Sequence, residues 1–206
     1  MPVGRDGCSG YRITKPYQAL KALGHDVIFI SNSVETSGEE LIRMALGADI
    51  LVFRPNHYSL MMLLKKVPDL KAKFIVDIDD DVDNMTPFAD GYRKFGTKEV
   101  KWNGQWLWKD KENGFDIARN KRMMKDTVEM LQEADGITVT TKYLAKRATQ
   151  LSGNKNTYIV ENGIDFLHWN KWNFKEHDGI RIGWTGGSTH YIDWYEIKDA
   201  LKRVFD

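Results

Sequence analysis

Five carboxylates fall within seven residues at Asp77, Asp79, Asp80, Asp81 and Asp83 (DIDDDVD), directly at the end of the apolar run KFIVDI. Adjacent carboxylates repel, so such clustering is costly unless something positive or a hydrogen-bond donor offsets it. Three readings compete for it. Asp79 and Asp81 could chelate Mg²⁺ or Mn²⁺, because hard cations take several carboxylate oxygens. They could hydrogen-bond the hydroxyls of a substrate, or the group could cap the loop that follows.

Glycine-rich turns are the second kind of signal. Gly4–Gly10 (GRDGCSG) leads into Tyr11, Arg12 and a helical pattern. Backbone N–H groups at a helix start can approach an anion or a sugar where glycine removes the side-chain obstruction. Gly186-Gly187-Ser188-Thr189 follows the run IRIGW and precedes another helical pattern, the order suited to cradling a diphosphate. That turn lacks the lysine of a P-loop and the spacing of the dinucleotide fingerprint. Asn162-Gly163-Ile164-Asp165 follows the run TYIV and by itself reads as a plain turn.

Trp102, Trp106 and Trp108 flank Asn103-Gly104, the pairing that most strongly marks a two-residue β-hairpin. Alternation places Trp106 and Trp108 on one face, and packing onto the domain is favoured over an open sugar-binding face. Arg119, Lys121, Arg122 and Lys125 form a basic run on a long helical pattern whose apolar stripe is Ile117, Met124, Val128 and Leu131. A solvated face is the default for that run, with an acceptor phosphate or a lipid headgroup, and so a peripheral membrane contact, as the alternative. His25 and His57 are lone, Cys8 has no evident base, and no GxSxG, HExxH or zinc pattern is present.

These residues need elements to hold them. Short apolar runs at Asp26–Ser31, Asp49–Phe53, Lys73–Ile78, Gly136–Thr140, Thr157–Val160 and Gly179–Trp184 suit strands buried on both faces. Helical patterns lie between them at Thr14–Leu23, Gly38–Leu46, Tyr58–Val67, Phe115–Ala134, Lys142–Leu151 and Asp193–Phe205, with Gly24 and Gly47 at C-cap positions. Strand–helix–strand repetition predicts α/β architecture with a doubly wound, Rossmann-like parallel sheet. In such sheets ligands collect at the carboxyl ends of the strands, where the aspartates and both glycine-rich turns stand. The expected organisation is a domain over residues 1–165, a linker over 166–178 and the start of a second domain over 179–206.

The totals exclude several classes. A net charge of +1 gives no field for nucleic acid or an anionic surface. One cysteine rules out an internal disulfide and fits a cytoplasmic, reducing compartment. No apolar run nears the roughly 18 residues of a membrane span, and MPVGRDGCSG lacks the apolar core of a secretory signal.

Taken in order, GRDGCSG, ADGITVTTKYLAKRA, YIVENGIDFLHW and IRIGWTGGSTHYIDW resemble the GT-B glycosyltransferases, GT4-type, in their N-terminal half. The resemblance implies transfer of a sugar from a nucleotide-sugar donor, itself a co-substrate with no further cofactor, to an acceptor it does not specify, with retention. It implies that Gly7 and Gly10 flank the cleft and that Gly186, Gly187 and Ser188 meet the donor diphosphate. Arg12 is then a candidate for the charge that stabilises the leaving diphosphate. The matched part stops before the family's acidic donor motif, so the chain alone is expected to be inactive. GT4 enzymes often carry a histidine where this chain has aspartates. Two rivals remain open: a metal-dependent, GT-A-like transferase using Asp79 and Asp81, and a non-catalytic Rossmann-type binding or structural module.

Overall fold

The computed structural model describes residues 10–30, 36–163, 178–183 and 191–205. The chain divides into two compact units, one formed by Met1–Asp80 with Asp126–Asn173, the other by Asp81–Lys125 with Phe174–Asp206.

Among the described residues the first unit is built on four parallel strands, β1 (Ile50–Phe53), β2 (Lys73–Ile78), β5 (Gly136–Val139) and β6 (Thr157–Ile159), in the order β1-β2-β5-β6. Among the described residues, β3 (Val100–Trp102) and β4 (Gln105–Trp108) belong to the second unit. The sheet is flanked by helices, so the α/β, Rossmann-like reading holds at that level. Its order runs in one direction, without a reversal among the described residues. Alternation along β2 sends Phe74, Val76 and Ile78 to one face and Ile75 and Asp77 to the other. On the first face these side chains join Phe53, Ile137 and Val139 and are covered by helices α2 (Gly38–Leu46), α3 (Tyr58–Leu64), α5 (Ile117–Glu133) and α6 (Lys142–Ser152). Ala45, Met61, Leu64, Met130, Leu131, Leu144 and Ala148 are the helix side chains buried there.

The helices start where local chemistry lets them. Ser37 accepts the Glu40 amide at 3.2 Å and Thr141 accepts that of Leu144 at 3.1 Å, each satisfying an orphan N–H of the first turn. Gly153 ends α6 in the left-handed region at φ 73°, where a side chain would be strained. The chain's first described element is a π-helical turn, Gly10–Thr14, which runs into α1 (Lys15–Ala22). Only Arg12 and Ile13 of this stretch are buried.

Two expected strands do not form among the described residues. Residues 26–30 have no ladder partner among the described residues; Ile28 is 59% exposed, and Phe29 instead meets the Tyr17 ring edge-on at 6.3 Å. Residues 179–183 are likewise not a strand, and Ile180 is exposed. An apolar β-branched run supplies the side chains of a strand but not the neighbour whose backbone must complete it. Trp184 and the larger part of the expected linker lie outside the described residues.

In the second unit β3 (Val100–Trp102) and β4 (Gln105–Trp108) form an antiparallel hairpin. Asn103 and Gly104 both have positive φ, 50° and 79°, as a type I′ turn requires. The register pairs Lys101 with Trp106 but Val100 with Trp108, so Leu107 is an extra residue in a bulge. The bulge overturns the expectation that Trp106 and Trp108 share a face. Trp108 packs against Tyr92 and the fully buried Phe115, whereas Trp106 is open and lies under the Lys101 ammonium at 4.2 Å. A short helix α4 (Tyr92–Phe95) and the first turns of α5 complete this small core. Asn120 is fully buried there, donating to the carbonyls of Arg93 (3.0 Å) and Gly96 (2.9 Å). The last described helix is α7 (Tyr191–Phe205). Among the described residues no helix is long and apolar enough to cross a membrane.

Candidate functional site

The carboxyl ends of β1, β2 and β6 each deliver a polar side chain to one edge of the first unit. Arg54 follows β1 directly in extended backbone, fixed by the Pro55–His57 turn after it. Asp77 and Asp79 flank Ile78 at the end of β2, and Asn162 follows β6. Thr138 of β5 lies opposite Asp77 in register, on the face that the helical core does not use.

Asp77 is the hub. It is 4% exposed, a position a carboxylate holds only when paired and fully hydrogen-bonded. Its Oδ1 accepts from Arg12 Nη2 and from the Thr138 hydroxyl at 2.7 Å. Its Oδ2 accepts from Arg12 Nε at 3.3 Å and from Arg54 Nη1 at 3.1 Å. Arg54 reaches onward through Nη2 to Asp79 Oδ1 at 2.5 Å. Arg12 also donates through Nη1 to the Val160 carbonyl and to Asn162 Oδ1, the latter at 3.3 Å. Two guanidinium groups thus balance two carboxylates, which offsets the desolvation that either pair would suffer alone.

The residues expected to act are therefore dispersed in role and place. Arg12 is buried, its guanidinium turned onto Asp77, Val160 and Asn162. Asp79 is paired with Arg54 at the more open end of the network, whose side chains are 10% and 19% exposed. Asp81 falls in the second unit, at the start of a turn over Val82–Asn84. Gly10 opens the π-helical turn, and among the described residues a Cβ there would meet nothing within 4 Å. Gly7, Gly186, Gly187 and Ser188 lie outside the described residues. Among the described residues, no group of three His, Cys, Asp or Glu side chains is placed to hold one metal ion.

Arg54 and Asn162 lie just beyond strand ends and Thr138 lies within β5, and no sequence signal groups the three. An aspartate in the fifth place of KFIVDI was the legible sign, because a charge inside a buried strand must have a partner. Of the basic run, Arg119 is spent on the carbonyls of Gly114 (3.0 Å) and Arg93 (3.3 Å), while Lys121, Arg122 and Lys125 are exposed.

Two titratable neighbours feel this environment. Burial lowers the pKa of His57, with the positive Arg54 adding to the effect, so its imidazole is neutral at pH 7. Burial raises the Tyr17 phenol to about 12, and the negative Asp77 pushes the same way against Arg12. A raised folded pKa means that the contribution is complete below the unfolded value of 10.0 and is lost as pH climbs through about 12. Ultraviolet titration should show a phenol ionising near that upper value, and Tyr17→Phe should remove it. Titration of all tyrosines by pH 11 would contradict this environment.

No protein-family model matches the chain, and no curated protein or solved structure does either.

Proposed function

We propose that the chain forms the acceptor side of a GT-B-type glycosyltransferase that moves a sugar from a nucleotide-sugar donor. The observation that carries the reading is the convergence of Arg54, Asp77, Asp79 and Asn162 at the carboxyl ends of parallel strands, where α/β sheets bind ligands. The order of glycine-rich and strand-ending motifs, from GRDGCSG to TGGST, supplies the family-level support.

In this reading the sugar C1–O bond to the diphosphate breaks, a new C1–O bond to an acceptor hydroxyl forms, and the hydroxyl proton leaves with the diphosphate. Asp79 would accept a hydrogen bond from that hydroxyl. Arg54, already bonded to Asp79, would orient the carboxylate. Arg12 is the positioning residue: it fastens Asp77 to the segment after β6 and so fixes the strand ends relative to one another. The turn Gly186-Gly187-Ser188 would receive the donor diphosphate on its backbone N–H groups.

The test is transfer from radiolabelled nucleotide-sugars by the protein expressed from its complete reading frame, wild type against Asp79→Asn. Asparagine keeps an oxygen for Arg54, so stability should fall by only about 1 kcal/mol. Transfer should fall about ten-fold or more, the loss of a charge-assisted hydrogen bond at the reacting hydroxyl. A folded Asp79→Asn protein transferring at the wild-type rate, or a wild type that turns over no nucleotide-sugar, would overturn the proposal.

A further inference from the structure

The second unit carries an aromatic ledge that its own core does not use. On one face of the β3–β4 hairpin the register sets Val100, Trp102, Gln105 and Trp108 together. At the inner end Trp108 is locked between Tyr92 (5.8 Å) and Phe115 (5.5 Å), and its indole N–H donates to the Pro87 carbonyl at 2.5 Å. At the outer end, beside the turn, Trp102 is 57% exposed. The residue after Pro87 is Phe88, 48% exposed, which meets Trp102 at right angles with ring centroids 4.8 Å apart. The two outer rings therefore form a corner whose geometry is set by the buried layer beneath it.

Leaving an indole and a phenyl ring in water is unfavourable, and two held in a fixed mutual orientation make a preorganised surface. Gln105 stands directly across from Trp102, so its amide brings donors and an acceptor to the same face. Lys101, the charged residue of these strands, is on the other face and engaged with Trp106. Flat aromatic surface, a perpendicular wall and a neutral amide match one ligand chemistry. A pyranose ring has an apolar C–H face to lay on the indole and equatorial hydroxyls to bond the amide. The absence of a strand charge on this face disfavours a phosphate, a nucleotide or an anionic headgroup. The polar Asn103-Gly104 tip leaves no apolar point to insert into a bilayer.

We infer that Phe88, Trp102 and Gln105 form a binding subsite for a neutral saccharide ring. It rests on its own observations and stands whether or not the chain takes part in sugar transfer.

The experiment measures binding of the full chain to immobilised neutral hexasaccharides of glucose, mannose, galactose and xylose. A sulfated heparin hexasaccharide and phosphatidylcholine–phosphatidylglycerol vesicles serve as competing probes. At least one neutral saccharide should bind, and Trp102→Ala should weaken it about ten-fold or more. Gln105→Ala should weaken it by a smaller factor, and Trp106→Ala, on the opposite face, should leave it unchanged. Trp102→Tyr retains a ring and should lose less than Trp102→Ala, which separates loss of stacking from loss of fold. Near-ultraviolet circular dichroism identifies any variant that fails to fold. No binding to any neutral saccharide overturns the assignment. So does equal weakening by Trp106→Ala and Trp102→Ala, or Trp102-dependent binding confined to vesicles or heparin. The capture assay contains no nucleotide-sugar and reads no transfer, so the two readings fail separately.

Discussion

Asp77→Ala should destabilise the first unit by about 3–5 kcal/mol, the range seen when one partner is removed from a buried ion pair. The substitution leaves Arg12, 6% exposed, without the carboxylate that takes its Nε and Nη2 hydrogens, and strips Arg54 of an acid partner. It also orphans the Thr138 hydroxyl. Arg12→Met alone should cost less, because Asp77 keeps Arg54 and Thr138. The double substitution Arg12→Met, Asp77→Leu should recover much of the loss, since apolar groups of similar volume can replace a buried pair. Urea denaturation measures all three. Native-state hydrogen exchange adds a regional prediction: residues 10–22 should lose protection first, because Arg12 and Ile13 are the buried residues of that stretch. A loss below about 1 kcal/mol for Asp77→Ala would show that the network is solvated in solution and contributes little.

Phe115→Ala should cost about 3–5 kcal/mol, as large-to-small changes at fully buried aromatics do. Phe115 is 0% exposed, lies parallel to Tyr92 at 5.9 Å and contacts Trp108 at 5.5 Å. Its backbone is also committed, its amide donating to Glu112 and its carbonyl accepting from Lys111, both at 2.8 Å. Among the described residues the second unit has few other buried side chains with which to collapse the cavity, so relaxation should be slight. Amides of residues 81–125 should exchange faster while those of β1, β2, β5 and β6 keep their protection. Uniform loss across the chain would show that the two units unfold as one. Phe115→Leu should recover about half of the cost, because it refills most of the volume without the ring contacts.

Much of the architecture was legible because the signals that carry it are local. KFIVDI gave the bounds of β2, and the GEELIRMAL pattern between Ser37 and Gly47 gave those of α2, since capping and periodicity act within a turn or a strand. Asn103-Gly104 located the hairpin because few residue pairs tolerate positive φ at both turn positions. The need of the aspartate run for positive charge followed from Coulomb repulsion alone, and Arg12 and Arg54 supply it at Asp77 and Asp79.

Partnership was not legible. Arg12 lies 65 residues from Asp77 and 148 from Val160, and no periodicity joins positions so far apart. Strand order and register brought them together, and the register of β2 against β5 chose Thr138 as the third partner. The same gap explains residues 26–30, whose composition suits a strand but which have no ladder neighbour among the described residues. A bulge of one residue moved Trp106 and Trp108 to opposite faces, because side-chain direction in a strand inverts with each position. Residue type and spacing fix what each segment can become; which buried charges meet, and which aromatic rings stay in water, depends on chain crossings that no local pattern encodes.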